Sequence, residues 1–490
     1  MKTGFNSEKY LEMQYQNILK KIDLFDGKLY MEFGGKIFDD LHASRVLPGF
    51  APNIKIQLLQ KLKSDSEIII VVSANALEQN KVRADFNITY ADEVLRLYDN
   101  LTAENLNVNA VVITMFNGQS NAQKFGKKLE NRGVKTYYHS YTKGYPSDIE
   151  TVVSDEGYGA NPFIKTTKKL VVITAPGPNS GKLATALSQL YHEYKHGIKA
   201  GYAKYETFPV WNLPLNHPVN IAYESATADL GDQNMLDNFH FSAYKQEAVN
   251  YNRDLEAFPL LKNILAKITG QDYYKSPTDM GVNMIASAIV DEKVIEEASK
   301  QEVIRRYYRA LCDYKKGAVD QKVYLNIQSL LDKLNLKTLD RSVALSALTK
   351  QEECGSHIFA LELENKTIFG KTKTLSACSA CILNAIKEIA GIDDSYHLIP
   401  KSIIKPIIEL NKNILKNRNE LLSLKDILLA LSVSASTNNL ANKAFLALKK
   451  LSGCQAHSTY ILSQSDEETI KKLGIQVTSE PVYPNSNLFE

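Results

Sequence analysis

The chain runs to 490 residues, 44% hydrophobic and 23% charged, with a net charge of +3. That composition supports sizeable cores in about two to four domains and offers no electrostatic case for a nucleic-acid or anionic-membrane partner. No apolar run reaches the roughly 18 residues of a membrane span, the opening MKTGFNSEKYLEMQ lacks the apolar core of a signal peptide, and five cysteines, an odd number, argue against a disulfide framework. A cytoplasmic protein is expected.

Short β-branched and aliphatic runs recur at 28–33, 67–72, 110–114, 134–139 and 170–174, separated by helical patterns such as 91–101 and 121–131. EIIIVV, AVVIT and LVVIT are continuously apolar, as strands buried on both faces are. Such alternation predicts a mostly parallel sheet covered by helices, with ligands beyond the carboxyl ends of its strands. The loops there are Gly34-Gly35-Lys36, Ser73-Ala74-Asn75, Asn117-Gly118-Gln119 and 176–182. Residues 201–240 are rich in proline and aromatics; Pro209, Pro214 and Pro218 exclude a long helix, so this segment is expected to wrap over the sheet. The pattern is helical from 241 to 345, at 285–310 and 323–334. A third block holds strand-like 357–363 and 366–370, a helix 376–390, a helical pair over 401–450 and a last α/β piece. The reading is an α/β domain over 1–240, an all-α domain over 241–345 and an α/β domain over 346–490.

Two chemical signatures share the stretch 170–197. The first is LVVIT followed by APGPNSGK and an amphipathic helix, the context of a phosphate loop. Gly177 and Gly181 let the backbone turn its amides inward, Asn179 and Ser180 lie between them, and Lys182 adds a point charge at the amino end of the helix. The fit to the Walker pattern is incomplete. Pro176 stands six residues before Lys182 where a glycine belongs, and Leu183 stands where Ser or Thr would bind magnesium. A phosphorylated small molecule or a nucleotide, with or without magnesium, is the expected ligand; a plain strand-to-helix turn is the alternative.

The second signature is His192-Glu193-Tyr194-Lys195-His196, a letter-for-letter H-E-x-x-H. On a helix His192 and His196 share a face, Glu193 would be the general base, and Glu224 with Asp229 behind it offers a third zinc ligand. Against zinc, this helix is the one launched by the phosphate-loop-like turn, so its first turns are expected to pack on the sheet.

Other groups are candidates by position. Lys36, Asp39, Asp40, His42 and Arg45 crowd the loop after the first strand, where a Gly-Gly turn admits a ligand and the basic side chains suit an anion. Asp148, Asp155 and Glu156 precede the LVVIT strand and can supply a base or cap turns, with Asp155 taken as the catalytic candidate. Asn252-Arg253-Asp254 and Thr278-Asp279 flank helices, where Thr278 or Asp279 is expected to cap. Cys378-x-x-Cys381 opens a helix without a thioredoxin setting. Cys312, Cys354 and Cys454 have no metal spacing.

Several blocks together resemble the DUF1846 (UPF0371) family of bacterial proteins: FGGKIFDDLHASRVLPGF (33–50), KGYPSDIETVVSDEGYGANPF (143–163), VVITAPGPNSGK (171–182), AGYAKYETFPVWNLPLNHPVNIAYESATADL (200–230), AVNYNRDLEAFPLL (248–261), SPTDMGVNM (276–284) and GKTKTLSACSACILNAIK (370–387). The resemblance spans almost the whole chain but implies no established activity. Some members carry the label of ATP-dependent zinc peptidase, which matches the two signatures above, yet relatives often carry Arg at the place of His196. The resemblance also implies a cytidine-deaminase-like C-terminal fold, but the deaminase metal motifs are absent here, so that chemistry is not expected. The expectation is a homo-oligomeric enzyme that binds a phosphorylated molecule at the GPNSGK loop and transfers a group. A zinc hydrolase and a non-catalytic nucleotide-binding sensor or scaffold are the alternatives.

Overall fold

The structure, a computed structural model, describes residues 2–38, 40–83, 88–364, 366–416 and 421–485. It divides into two units, residues 1–224 with 231–299, and residues 225–230 with 300–490. The first unit is built on seven strands, β1 (Leu29–Phe33), β2 (Ser66–Ser73), β3 (Val108–Thr114), β4 (Thr136–Tyr138), β5 (Leu170–Thr174), β6 (Gly201–Tyr205) and β7 (Gly281–Val282). Their order is β7-β6-β1-β5-β2-β3-β4, and every pairing is parallel. β2, β3 and β5 are the three continuous apolar runs, and their centres are completely buried. Their Ile and Val side chains anchor the core of the unit.

Two stretches of the chain depart from expectation. The segment after 200 does not simply wrap over the sheet; its first five residues, Gly-Tyr-Ala-Lys-Tyr, form β6 and pair with β1 along their whole length. Nor is the middle block all-helical. Val249–Tyr251 pairs with Asn234–Leu236, and β7 joins the large sheet beside β6. Strands of two or three residues are too short to leave a period-2 pattern.

The helices that matter for the site are α1 (Ser7–Leu24), α2 (Ile54–Lys61), α3 (Tyr90–Ala103), α4 (Ser120–Glu130), α5 (Lys182–Lys195) and α6 (Asn252–Thr269). After β1 the chain crosses toward β2; after β5 it crosses back, past β1, to β6. Right-handed crossovers in opposite directions run on opposite faces. The chain therefore parts at the carboxyl ends of β1 and β5, the kind of place where open parallel sheets take ligands.

The second unit carries a smaller mixed sheet. Its strands are β8 (Ile358–Leu363), β9 (Lys366–Lys371), β10 (Gln455–Ser458) and β11 (Gln476–Ser479), in the order β9-β8-β10-β11. Only β10 and β11 run parallel. Helices α7 (Ser342–Cys354) and α8 (Ala377–Ala390) pack on it. The α8 cysteines, Cys378 and Cys381, are fully buried in the core of this unit, and burial pushes both thiols above their ordinary range. Neither belongs to a metal-ligating group of three among the described residues. No helix among the described residues is long and apolar enough to cross a membrane.

Candidate functional site at the carboxyl edge of the parallel sheet

The loop after β5 is braced from within. The Thr114 hydroxyl, at the tip of β3, donates to the Ser180 carbonyl at 2.7 Å, and the Ser180 hydroxyl donates to the Gly177 carbonyl at 2.8 Å. Asn179 and Gly181 both take the left-handed conformation, at φ 57° and 85°. A Cβ on Gly181 would lie 2.7 Å from Thr114 Oγ1, and one on Gly177 would lie 2.2 Å from the Tyr90 hydroxyl. Both glycines are thus required by close packing, and Gly181 by its dihedral as well. Ser180 is a brace, while Asn179 is exposed at the loop tip. α5 starts at Lys182 with no side chain capping it, so the N–H groups of its first turn have no intrahelical partner.

Lys182 points into the crevice at the end of β1, 3.5 Å from Glu32 Oε1. Glu32 is in parallel register with Lys204 of β6, as Tyr30 is with Tyr202. Because alternate residues share a face, Tyr30, Glu32, Tyr202 and Lys204 form one polar stripe on the face where α5 packs. The Tyr202 hydroxyl donates to Glu32 Oε2 at 3.1 Å. Lys204 pairs with Asp254 in the first turn of α6 at 2.8 Å and stands 4.0 Å from Glu206, just past β6. Burial works against the charge of Lys204, but Asp254, Glu206 and Glu32 outweigh it and hold its pKa above the ordinary value. Burial pushes the Glu206 carboxyl up to about 8; Lys204 opposes the push, and Asp254 and Glu32 add to it. Glu206 also faces a small cavity bordered by Trp211, Asn250, Thr278 and Asn283.

The loop after β1 reaches the same edge. Lys55 of α2 is buried beneath it and donates to the carbonyls of Gly34 and Lys36, each at 2.9 Å, and to Asp40 Oδ2 at 3.3 Å. Burial opposes the charge of Asp40, but Lys55, His42 and the Ala43 N–H together hold its carboxyl below its ordinary range. Asp40 also caps the short helix Leu41–Val46, which carries His42 and Arg45. The His42 ring packs 5.6 Å from Phe208 and from Tyr223. Burial raises the Tyr223 hydroxyl above its ordinary range, and Glu206 and Asp40 add to the effect. Lys36 is partly buried in the loop. Asp39 lies outside the described residues.

Other candidates sit elsewhere. Asp155 is exposed and pairs with Lys195 at 3.1 Å while accepting from Tyr191 at 2.7 Å. Those partners are nine and thirteen residues beyond Lys182, so at 1.5 Å per residue they lie about 14 to 20 Å along α5. Asp148 caps a short helix, and Glu156 pairs with Lys143. Thr278 donates to Asp237 at 2.6 Å, and Asp279 closes a capping box with Ser276.

The zinc signature is dispersed. His192 Nε2 lies 2.7 Å from the Asn161 carbonyl, and His196 Nδ1 lies 2.6 Å from the His192 carbonyl. Glu193 is fully buried on the sheet face, where it accepts from Tyr30 at 2.6 Å and pairs with Lys28 at 2.5 Å. Glu224 accepts from the Asn234 N–H at 3.4 Å. The ligand atoms of His192, His196 and Glu224 do not gather within 4.8 Å of one another, whereas those of His217, Glu292 and Glu296 do. In that group, however, His217 Nδ1 accepts from the Val219 N–H at 3.2 Å, so Nε2 carries the proton and donates to Glu292 at 2.5 Å. The ring has no lone pair left for a metal in this arrangement.

Sequence reasoning missed Glu32, Lys204 and Glu206. The signal was present: a central parallel strand should read as apolar throughout, and LYMEF and GYAKY each carry one charged residue near the carboxyl end.

Residues 3–335 match the family model described as "Domain of unknown function DUF1846, N-terminal", and residues 339–489 match "Domain of unknown function DUF1846, C-terminal". Among similar proteins, a UPF0371 protein of Clostridium botulinum (strain ATCC 19397 / Type A) is 54% identical over 502 residues, covering 100% of this chain and 99% of its own. One from Clostridium tetani (strain Massachusetts / E88) is 53% identical over 500 residues, covering 100% and 99%. One from Clostridioides difficile (strain 630) is 54% identical over 502 residues, covering 100% of both.

Proposed function

The chain belongs to the DUF1846 family, and from that premise we propose that its first unit binds a small phosphorylated molecule or a nucleotide at the carboxyl edge of the parallel sheet and transfers a group. The observation that carries this reading is the uncapped start of α5 behind left-handed Gly181, at the point where the chain parts. Unpartnered N–H groups and the positive end of the helix dipole favour an anion there. In this reading the amides of Gly177, Asn179, Ser180 and Gly181, with Lys182, hold the phosphate, and Lys36, His42 and Arg45 contact the rest of the ligand. Leu183 stands where a hydroxyl would bind magnesium, and the Ser180 hydroxyl is committed to the Gly177 carbonyl, so a nucleotide would carry its metal on other groups. A zinc hydrolase is not proposed, because Glu193 is spent on Tyr30 and Lys28 and the two histidines on backbone carbonyls.

Thermal shift against nucleotides, sugar phosphates and inorganic phosphate, with Lys182→Ala in parallel, tests the proposal. A ligand at 100 times its Kd adds about 2.7 kcal/mol, so a hit is expected that the variant loses. The absence of any hit among phosphate compounds contradicts the reading.

A further inference from the structure

The crevice beside Lys182 holds an uneven set of charges. Three carboxyl groups, Glu32, Asp254 and Glu206, share two ammonium groups, Lys182 and Lys204. Glu32 has Lys182 at 3.5 Å and the Tyr202 hydroxyl at 3.1 Å. Asp254 has Lys204 at 2.8 Å. Among the described residues, Glu206 has Lys204 at 4.0 Å, beyond hydrogen-bond reach, and Lys182 from farther off. Like charges crowded into one partly buried site cannot all ionise at neutral pH, and the group with the poorest partner keeps its proton. That group is Glu206.

We propose that Glu206 stands un-ionised at neutral pH and donates its proton, as a hydrogen bond, to an oxygen of the anion held at the start of α5. The inference rests on the anion reading of that loop and adds a specificity element to it. A third carboxylate would repel an anion, whereas a neutral acid is a donor. The ligand is thereby an oxyanion with an acceptor oxygen to spare, such as a phosphate monoester, and its affinity depends on the Glu206 proton. The groups facing Glu206 are Glu32 from β1, Lys182 from α5, Tyr202 and Lys204 from β6 and Asp254 from α6, with Tyr223 nearby. Burial pushes its carboxyl to about 8, in line with the charge count.

The sign follows from linkage. A carboxyl raised in the folded state contributes stability below its unfolded pKa and loses it as pH rises to the folded value. Melting temperature is therefore measured from pH 5 to 9 for the full chain and for Glu206→Gln, without ligand. The advantage of Glu206→Gln is expected to grow between about pH 5 and pH 8 and then level off. Sulfate, whose charge is constant over this range, is then titrated at millimolar concentration, with Lys182→Ala to separate site binding from general salt effects. Wild-type affinity is expected to fall about tenfold per pH unit above 8, while Glu206→Gln, still a donor, binds with no pH dependence. A flat difference between the two melting profiles overturns the inference and leaves the anion reading standing. A step in the profiles with a pH-independent sulfate response also overturns it, since the proton is then not lent to the anion. No sulfate response at any pH overturns both.

Discussion

Two single residues show how tightly the crevice is specified. Gly181 combines a positive φ with a Cβ position 2.7 Å from Thr114. Gly181→Ala is expected to cost about 2 kcal/mol, from the left-handed backbone and the crowding together, measured as a lower urea midpoint with unchanged slope. Lys55, buried under the loop after β1, holds two carbonyls and Asp40. Lys55→Met takes from buried Asp40 its ammonium partner, leaving it the Ala43 N–H and His42, an expected loss of about 3 kcal/mol at neutral pH. Since Asp40 is held below its ordinary range, its stabilisation is present above the unfolded pKa, about 4, and lost as pH falls through the folded value. The gap between wild type and Lys55→Met should therefore narrow below about pH 4. A gap that persists unchanged into acid would contradict the assignment.

Strands and helices explain why some of this was legible and some was not. β2, β3 and β5 announce themselves because a strand buried on both faces must be apolar throughout, and the Gly-Pro-rich turn into α5 was readable from Gly177, Gly181 and Lys182. β6 was hidden because Lys204 breaks its apolar run and a proline-rich segment follows it. The histidine pair misled for a related reason. H-E-x-x-H describes spacing on a helix, and only the sheet beneath α5 determines that Glu193 faces Tyr30 while His192 faces Asn161. Glu193→Ala is accordingly expected to destabilise the fold by about 3 kcal/mol, because Lys28 loses its buried counter-charge. A variant of unchanged stability would show that Glu193 is not part of the framework. In the second unit, Arg341 precedes α7 and is almost fully buried, donating to Thr478 Oγ1 at 3.0 Å and to the Gln476 carbonyl at 2.9 Å. Arg341→Leu should strip α7 of its tie to β11 at a cost of about 3 kcal/mol, read by chemical denaturation.

At the scale of the whole molecule, the two family models meet between residues 335 and 339, and each described unit has its own sheet and core. Chelator treatment is expected to leave the melting temperature unchanged within about 1 °C, since the metal-like trio among the described residues has its histidine tied to Val219 and Glu292. The central claim is the location of an anion at the carboxyl edge. It has a competitor at the opposite, amino edge, where Lys28, Lys168, Lys169 and Lys199 line an open hollow. The most direct measurement is anomalous diffraction from a crystal of the full chain soaked in tungstate. A peak about 4 Å from the amide nitrogens of Gly181 and Lys182, a tungsten–oxygen bond beyond hydrogen-bond distance, is the predicted result. Peaks confined to the lysine-lined hollow, or anywhere else, would contradict it.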